Sequence, residues 1–119
     1  MTKKRLIIGL IEKVKLENNK IYKAKIDTGA DSSSIDETLF KKLEKRKTIS
    51  HKIIRSALGT VRRPTKMIDI EFQNIKFNEK FTISDRSNLK YKVLIGQDIL
   101  KKEGFLIDPN KKLTQTKTI

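Results

Sequence analysis

The sequence has no cysteine and no tryptophan, and it has a single histidine, His51. Without cysteine the chain cannot form a disulfide, a thiolate nucleophile or a cysteine-ligated zinc site. Zinc sites use three or four His, Cys, Asp or Glu ligands, so one histidine makes such a site improbable, and His51 is better explained as a surface or packing residue. No phosphate-binding loop of the Walker type is present, and ATP use within the chain is therefore not supported.

Long hydrophobic segments are also missing. The longest apolar run extends from Leu6 to Ile11 with Gly9 inside it, which is far too short to span a bilayer. Three basic residues precede it, as in a signal peptide, but charged residues follow at once and there is no small-residue cleavage site. The run is therefore interpreted as the first strand of a cytoplasmic protein. At 119 residues the chain is expected to form one domain, residues 1–119.

Acidic residues are few compared with basic ones. The chain has 28 lysines and arginines against 14 aspartates and glutamates, a formal net charge of +14. Such an excess favours acidic partners, nucleic acid included, although a solvated lysine-rich surface explains it most simply. The basic residues are scattered and the aromatic content is only 6%, which leaves few side chains on which nucleic-acid bases could stack. Nucleic-acid binding is therefore an alternative rather than the main hypothesis.

The most informative stretch surrounds Asp27. An apolar strand, residues 21–26, leads directly into Asp27, and Thr28, Gly29, Ala30 and a run of serines follow. A carboxylate at the end of a buried strand is costly unless its oxygens are satisfied, and hydroxyl side chains can hold such a loop by local hydrogen bonds. The pattern is typical of an acid–base carboxylate on a rigid loop. A buried structural aspartate is the alternative.

Alternation of apolar and polar residues predicts mostly strands, and helix-capping residues predict one or two short helices. Gly9 is expected to bend or divide the first strand, and Gly104 to end the second helix. The remaining predictions are strands over 49–57, 61–72 and 91–95, a capping box that opens a helix at Ser34, turns at Leu58, Gly59 and Thr60 and at Gln73 and Asn74, a hairpin around Asn78 and Glu79, a polar loop over 85–89, a helix over 97–102 and an extended C-terminal arm.

Two motifs, in this order and about seventy residues apart, resemble those of retropepsin-like aspartic proteases. The first is Asp27-Thr28-Gly29-Ala30-Asp31-Ser32-Ser33, and the second is Val93-Leu94-Ile95-Gly96 followed by a short helix. The resemblance implies an all-β fold, the closed β-barrel of the acid proteases. It also implies a catalytic role for Asp27, a glycine-tipped flap at 58–60 and a second half of the core at Leu94, Ile95 and Gly96.

The same resemblance implies roles for the loop residues. Thr28 and Gly29 would lock two such loops together, and Asp31 would contact the substrate backbone and brace the loop. In the family an arginine after the second glycine supports that aspartate, whereas this chain has Gln97 there. Arg86 is a candidate substitute. Because the chain has one Asp-Thr-Gly and the chemistry needs two carboxylates, a homodimer with one Asp27 from each chain is expected.

A second resemblance covers more of the chain. It is to bacterial and archaeal ATP-dependent zinc proteases that are associated with ATP-grasp ligases, and their architecture looks retropepsin-like. In that family a histidine often follows the first motif, but this chain has none there, so no metal or other cofactor is expected. The matching segments are residues 25–30, 55–56, 62–64, 83–91, 94–96 and 105–109.

Together these patterns predict a homodimeric aspartic peptidase that acts on an extended peptide. The positive charge, with the resemblance, suggests an acidic peptide and an ATP-grasp ligase as a partner. A non-catalytic retropepsin-like interaction module is the second alternative.

Overall fold

The computed structural model describes residues 5–43, 50–56, 59–113 and 117–118. Within them the chain forms short strands, one long hairpin and two short helices. In chain order the elements are β1 (Leu6–Ile8), β2 (Ile11–Lys15), β3 (Ile21–Ile26), β4 (Ser34–Asp36), α1 (Glu37–Leu43), β5 (Ser50–Ser56), β6 (Gly59–Phe72), β7 (Ile75–Ser84), β8 (Val93–Ile95), α2 (Gln97–Glu103), β9 (Leu106–Ile107) and β10 (Lys117–Thr118).

Six of the strands close into a barrel. Neighbouring strands follow the order β2-β3-β8-β4-β7-β6, and β6 returns to β2 where Glu71 pairs with Lys15. Closure leaves these strands without a free edge. β5 continues the sheet beyond β6, and a separate three-stranded sheet has the order β10-β1-β9. The predicted all-β closed barrel with two short helices is therefore confirmed.

The barrel is filled by the alternate side chains of its strands. Val14, Ala24, Ile35, Val93 and Ile95 are fully buried, as expected where every second residue of a strand points inward. Burial of each large aliphatic side chain contributes about 1.5–3 kcal/mol. Three phenylalanines extend this core at one end, with ring centroids 5.4–6.0 Å apart. The wall that carries Asp27 is consequently a rigid support.

The helix predicted to open at Ser34 begins later. Ser34, Ile35 and Asp36 form β4, which pairs with β7 on one side and β8 on the other. These two ladders satisfy more backbone groups than one extra helical turn would, and they bury Ile35 in the core. Asp36 caps α1 instead: its Oδ2 accepts the N–H groups of Thr38 and Leu39.

One predicted turn is wrong, and two residues of another lie within a strand. No turn lies at Asn78 and Glu79, because β7 runs unbroken from Ile75 to Ser84 and pairs along its length with β6. The turn predicted at Gln73 and Asn74, just before β7, is present, and these residues have φ angles of 45° and 71°. Gly59 and Thr60 are likewise not a turn but the first residues of β6, paired with Ser56 and Arg55. Leu58 lies outside the described residues.

Other boundaries agree with the sequence-based expectations. Gly9 lies between β1 and β2, and Gly104, with φ of 69°, ends α2 as a left-handed C-cap. No helix in the described part of the chain is long and apolar enough to cross a membrane.

Candidate active site

The backbone around Asp27 is held by the strands on either side of it. The Asp27 N–H donates to the carbonyl of Ile95 at 2.9 Å, and the preceding residue donates to the carbonyl of Leu10. The carboxylate then folds back on its own loop, where Oδ1 accepts the N–H of Gly29 at 2.9 Å. Asp27 is half-buried. Its second oxygen, Oδ2, has no hydrogen-bond partner in the part of the chain that the structure describes.

The two sequence motifs contact each other through Gly96. A Cβ at this position would lie 2.7 Å from the carbonyl oxygen of Ala30 and 2.8 Å from that of Ser32, so no larger residue fits. The backbone then continues the contact, because Gln97 N–H donates to Ala30 and Asp98 N–H to Asp31. The sequence predicted that these motifs form one core unit, and the structure brings them together.

A serine and an aspartate clamp this junction, and sequence analysis missed both. Ser33 is fully buried. Its hydroxyl donates to Asp98 Oδ1 at 2.7 Å and accepts the N–H of Gly96 at 2.9 Å, while its own N–H donates to the same carboxylate. The available signal was a serine at the end of the first motif and an aspartate in the first turn after the second. Since they are 65 residues apart, the sequence does not show that they meet.

The brace expected from an arginine is supplied differently. Gln97 Nε2 donates to the carbonyl of Thr28 at 2.6 Å, so the glutamine that replaces the family's arginine holds the loop through its backbone. Arg86 is not the substitute: its guanidinium donates to Ser34 and Tyr91. Asp31 is exposed, and its carboxylate has no partner among the residues described.

The loop that carries Arg86 is held from inside by a lysine. Lys92 Nζ donates to the carbonyls of Arg86, Ser87 and Leu89 at 2.8, 2.9 and 3.0 Å, which uses all three protons of the ammonium group. The Arg86 N–H donates to Asp36 Oδ1 at 2.7 Å. The polar loop predicted over 85–89 is therefore held mainly by hydrogen bonds from side chains to the backbone.

Other candidate residues lie elsewhere. Gly59 and Thr60 are in the β5–β6 hairpin, whose strands pair from Ser50 with Thr65 to Ser56 with Gly59, and His51 is in β5. In the described ranges no group of three or more His, Cys, Asp or Glu side chains is arranged to hold a metal ion.

Solved structures with a similar fold include two viral proteases. A Legionella pneumophila protein of unknown function is 22% identical with a TM-score of 0.68, over 91% of this chain and 96% of that one. EIAV protease in complex with an inhibitor is 20% identical, TM-score 0.64, over 82% and 90%. Simian foamy virus protease is 15% identical, TM-score 0.59, over 76% and 91%. At these identities the likeness shows a shared fold.

The family itself is shown by the sequence. Residues 13–102 match the family model described as gag-polyprotein putative aspartyl protease, and the chain belongs to that family. The matched region contains Asp27 and Gly96. No curated protein matches the sequence.

Proposed function

We propose that this protein is an aspartic peptidase that works as a homodimer, with Asp27 of each chain in one shared catalytic pair. One observation carries the proposal. In a chain of the gag aspartyl protease family, the Asp27 carboxylate is oriented by the Gly29 N–H through one oxygen, while the other oxygen is unpartnered among the described residues. This is the arrangement expected of a group that acts on a bound water.

The chemistry needs two carboxylates that share one proton. Two like charges so close cannot both ionise, so one Asp27 is protonated while the other is the base. The ionised carboxylate takes a proton from water as the water oxygen adds to the peptide carbonyl, and the protonated partner gives its proton to the carbonyl oxygen. Collapse of the adduct breaks the C–N bond, and the nitrogen leaves as an amine after receiving a proton. The pair titrates as a unit.

The second carboxylate would come from a second copy, because the chain has one Asp-Thr-Gly and twofold dimers are the commonest assembly. Thr28 and Gly29 are exposed beside Asp27, where they could meet their counterparts across the axis. Ala30 and Asp31 follow on the same loop and would contact the substrate backbone. Leu94 and Ile95 of β8 and the following Gly96 support this loop.

We further propose that the β5–β6 hairpin closes over an extended peptide as a flap, with Leu58, Gly59 and Thr60 near its tip. Main-chain pairing would then supply much of the binding. The cytoplasmic location, the closeness to ATP-dependent zinc proteases and the ATP-grasp ligase partner stay predictions. A non-catalytic module of the same fold is the competing function, and the unpartnered Asp27 oxygen favours catalysis over it.

The test combines assembly with a single nearly isosteric change. Sedimentation at several concentrations should show a dimer, and the wild-type protein should cleave members of a randomised peptide pool. Asp27→Asn should reduce kcat/KM by at least about a thousandfold, since loss of the shared pair removes the acid–base step. Asp69→Asn, at an exposed aspartate on β6, is the matched control and should cleave normally.

Two results would contradict the proposal. A protein that stays monomeric at every concentration leaves Asp27 without a partner. Full activity of Asp27→Asn would remove the aspartic mechanism. A chelator should leave cleavage unchanged, and activity that is lost with the chelator and restored by zinc would favour a metallopeptidase.

A further inference from the structure

A short row of side chains lies beside Asp27 on the face of the barrel wall that is turned away from the core. Lys25 of β3 pairs with Leu94 of β8, and Leu94 pairs in turn with Ser34 of β4. Directly paired residues project to the same face of a sheet. The residues next to them in sequence, Ile26 and Ile35 among others, fill the core, so the row faces outward. Leu94 is buried yet stands apart from the core cluster.

Arg86 adjoins the far end of this row. Its NH1 donates to Ser34 Oγ at 3.3 Å and its Nε to the Tyr91 carbonyl at 3.0 Å. The side chain is largely buried, with 9% of the residue exposed. A guanidinium has five N–H donors, and these two bonds use two of them. The other three N–H donors have no acceptor within residues 5–43, 50–56, 59–113 and 117–118.

No carboxylate among the described residues forms an ion pair with the Arg86 guanidinium. Asp36 commits Oδ1 to the Arg86 backbone N–H and Oδ2 to the start of α1. Asp98 is bonded to Ser33. Burial lowers the pKa of Arg86, whereas the charges of Asp36 and Asp27 act in the opposite direction, so Arg86 is within electrostatic reach of Asp27. An arginine remains charged under all ordinary conditions.

A buried charge without a partner is costly, and it persists where another contribution offsets it. The surroundings hold Arg86 in place: Asp36 fixes its N–H, and Lys92 fixes its carbonyl oxygen. A guanidinium so positioned, with unused donors in a planar fork, matches the two oxygens of a carboxylate. The exposed ammonium of Lys25 lies on the other side of Leu94 and adds a second positive charge.

We propose that Arg86 and Lys25 form a subsite for a glutamate side chain of the peptide, with Leu94 packing against its methylene groups. The inference rests on the proposed peptidase function and specifies its substrate class. Leu94 lies between the two cations. Glutamate suits this row because its methylene groups would contact Leu94 while its carboxylate binds a cation. The geometry therefore predicts substrates with an acidic residue close to the cleaved bond.

Binding to a catalytically silent protein tests the subsite directly. Asp27→Asn protein would select from a pool of synthetic peptides in which each position carries glutamate or glutamine in equal amounts, and the bound fraction would be sequenced. We expect glutamate to be enriched at one position by about 10-fold or more, the effect of one charge-assisted hydrogen-bonded pair. Arg86→Gln in this background should abolish the enrichment, and Lys25→Gln should reduce it.

Lys13→Gln is the matched control, because Lys13 is exposed on the neighbouring strand and pairs with Lys23 rather than with Lys25. It should keep the full enrichment although it removes the same charge. If circular dichroism shows that Arg86→Gln does not fold, the test relies on two other variants. These are Lys25→Gln, at an exposed position, and the conservative Arg86→Lys. Arg86→Lys keeps the charge but loses the fork, so we expect most of the preference to be lost.

The outcomes separate the subsite from the peptidase function. Cleavage of the pool by wild-type protein with no preference for glutamate overturns the subsite and leaves the peptidase intact. Enrichment of glutamate that depends on Arg86, without cleavage by the wild type, supports the subsite and removes the peptidase. Equal loss of enrichment in Lys13→Gln and Lys25→Gln would show attraction by overall charge and would also overturn the subsite.

Discussion

Two of the three buried cations among the described residues have different surroundings. The Lys111 side chain is fully buried and donates to Glu12 Oε2 at 2.9 Å. Arg86 is also buried, yet it has hydrogen bonds to a hydroxyl and a carbonyl and no carboxylate in ion-pair contact among the described residues. The first cation is paired within the fold, whereas the second keeps donors available. The difference indicates which buried charge the fold uses and which one is available to a ligand.

The pair around Lys111 joins distant parts of the chain. Glu12 Oε2 also accepts the N–H of Gly9 at 2.7 Å, and Oε1 accepts Gln73 Nε2 at 3.2 Å. A Cβ at Gly9 would lie 2.9 Å from the Lys111 carbonyl oxygen. The segment after β9 is thereby attached to the corner between β1 and β2 and to the β6–β7 turn. A role in stability rather than in binding follows from this closed arrangement.

The largest expected effect comes from breaking that pair. Lys111→Met leaves Glu12 as an uncompensated buried charge, and the free energy of unfolding should fall by about 3–5 kcal/mol, measured by chemical denaturation. The double variant with Glu12→Gln should recover a large part of the loss. Lys101→Met, at an exposed lysine of α2, is the control and should change stability little. A Lys111→Met protein as stable as the wild type would refute the structural role.

Arg86→Met should have a smaller effect on stability. It removes two hydrogen bonds but also the cost of burying an unpaired cation, so we expect a loss of about 1 kcal/mol. The same denaturation measurement gives the value. A loss as large as that of Lys111→Met would show that the fold itself depends on the Arg86 charge, and the contrast between the two cations would fail.

The smallest effect concerns Asp85, which is adjacent to Arg86 but bonded to Ser87. The Ser87 hydroxyl, with the Ser87 N–H, lowers the pKa of Asp85 below 3.8. A carboxyl with a lowered pKa stabilises the fold above its unfolded value near pH 3.8, and this contribution is lost as pH falls through the folded pKa. Ser87→Ala should raise the Asp85 pKa toward 3.8 in an NMR titration. An unchanged pKa would mean that the hydroxyl is not the cause.

Local patterns were sufficient to predict several features of the fold and the site. The strand that leads into Asp27 was predicted from its apolar pattern, and the second half of the core at Gly96 was expected from the resemblance of the two motifs. Gly104 ended its helix as expected. Ser34 misled because a capping box is a local preference, whereas its pairing with β7 and β8 depends on strands that are distant in sequence.

The long-range polar contacts could not be predicted. Ser33 meets Asp98 across 65 residues, and Glu12 meets Lys111 across 99. Neither partner is distinguishable in the sequence from the many other charged and hydroxyl residues around it. Gln97 contacts the Thr28 carbonyl in place of the arginine brace. This contact could not be predicted either, since a glutamine can reach several backbone groups.

The sequence by itself determined the strand that leads into Asp27 and the end of α2 at Gly104, because alternating burial and backbone preferences act over a few neighbouring residues. The closed barrel was expected from the resemblance of the two motifs to those of retropepsin-like proteases. Only the tertiary structure decided which charges are paired. Lys111 and Arg86 both lie in polar segments of the chain. Pairing depends on what closure of the barrel brings within hydrogen-bond distance, and hydrogen bonds weaken steeply over a few tenths of an ångström and with misaligned angles.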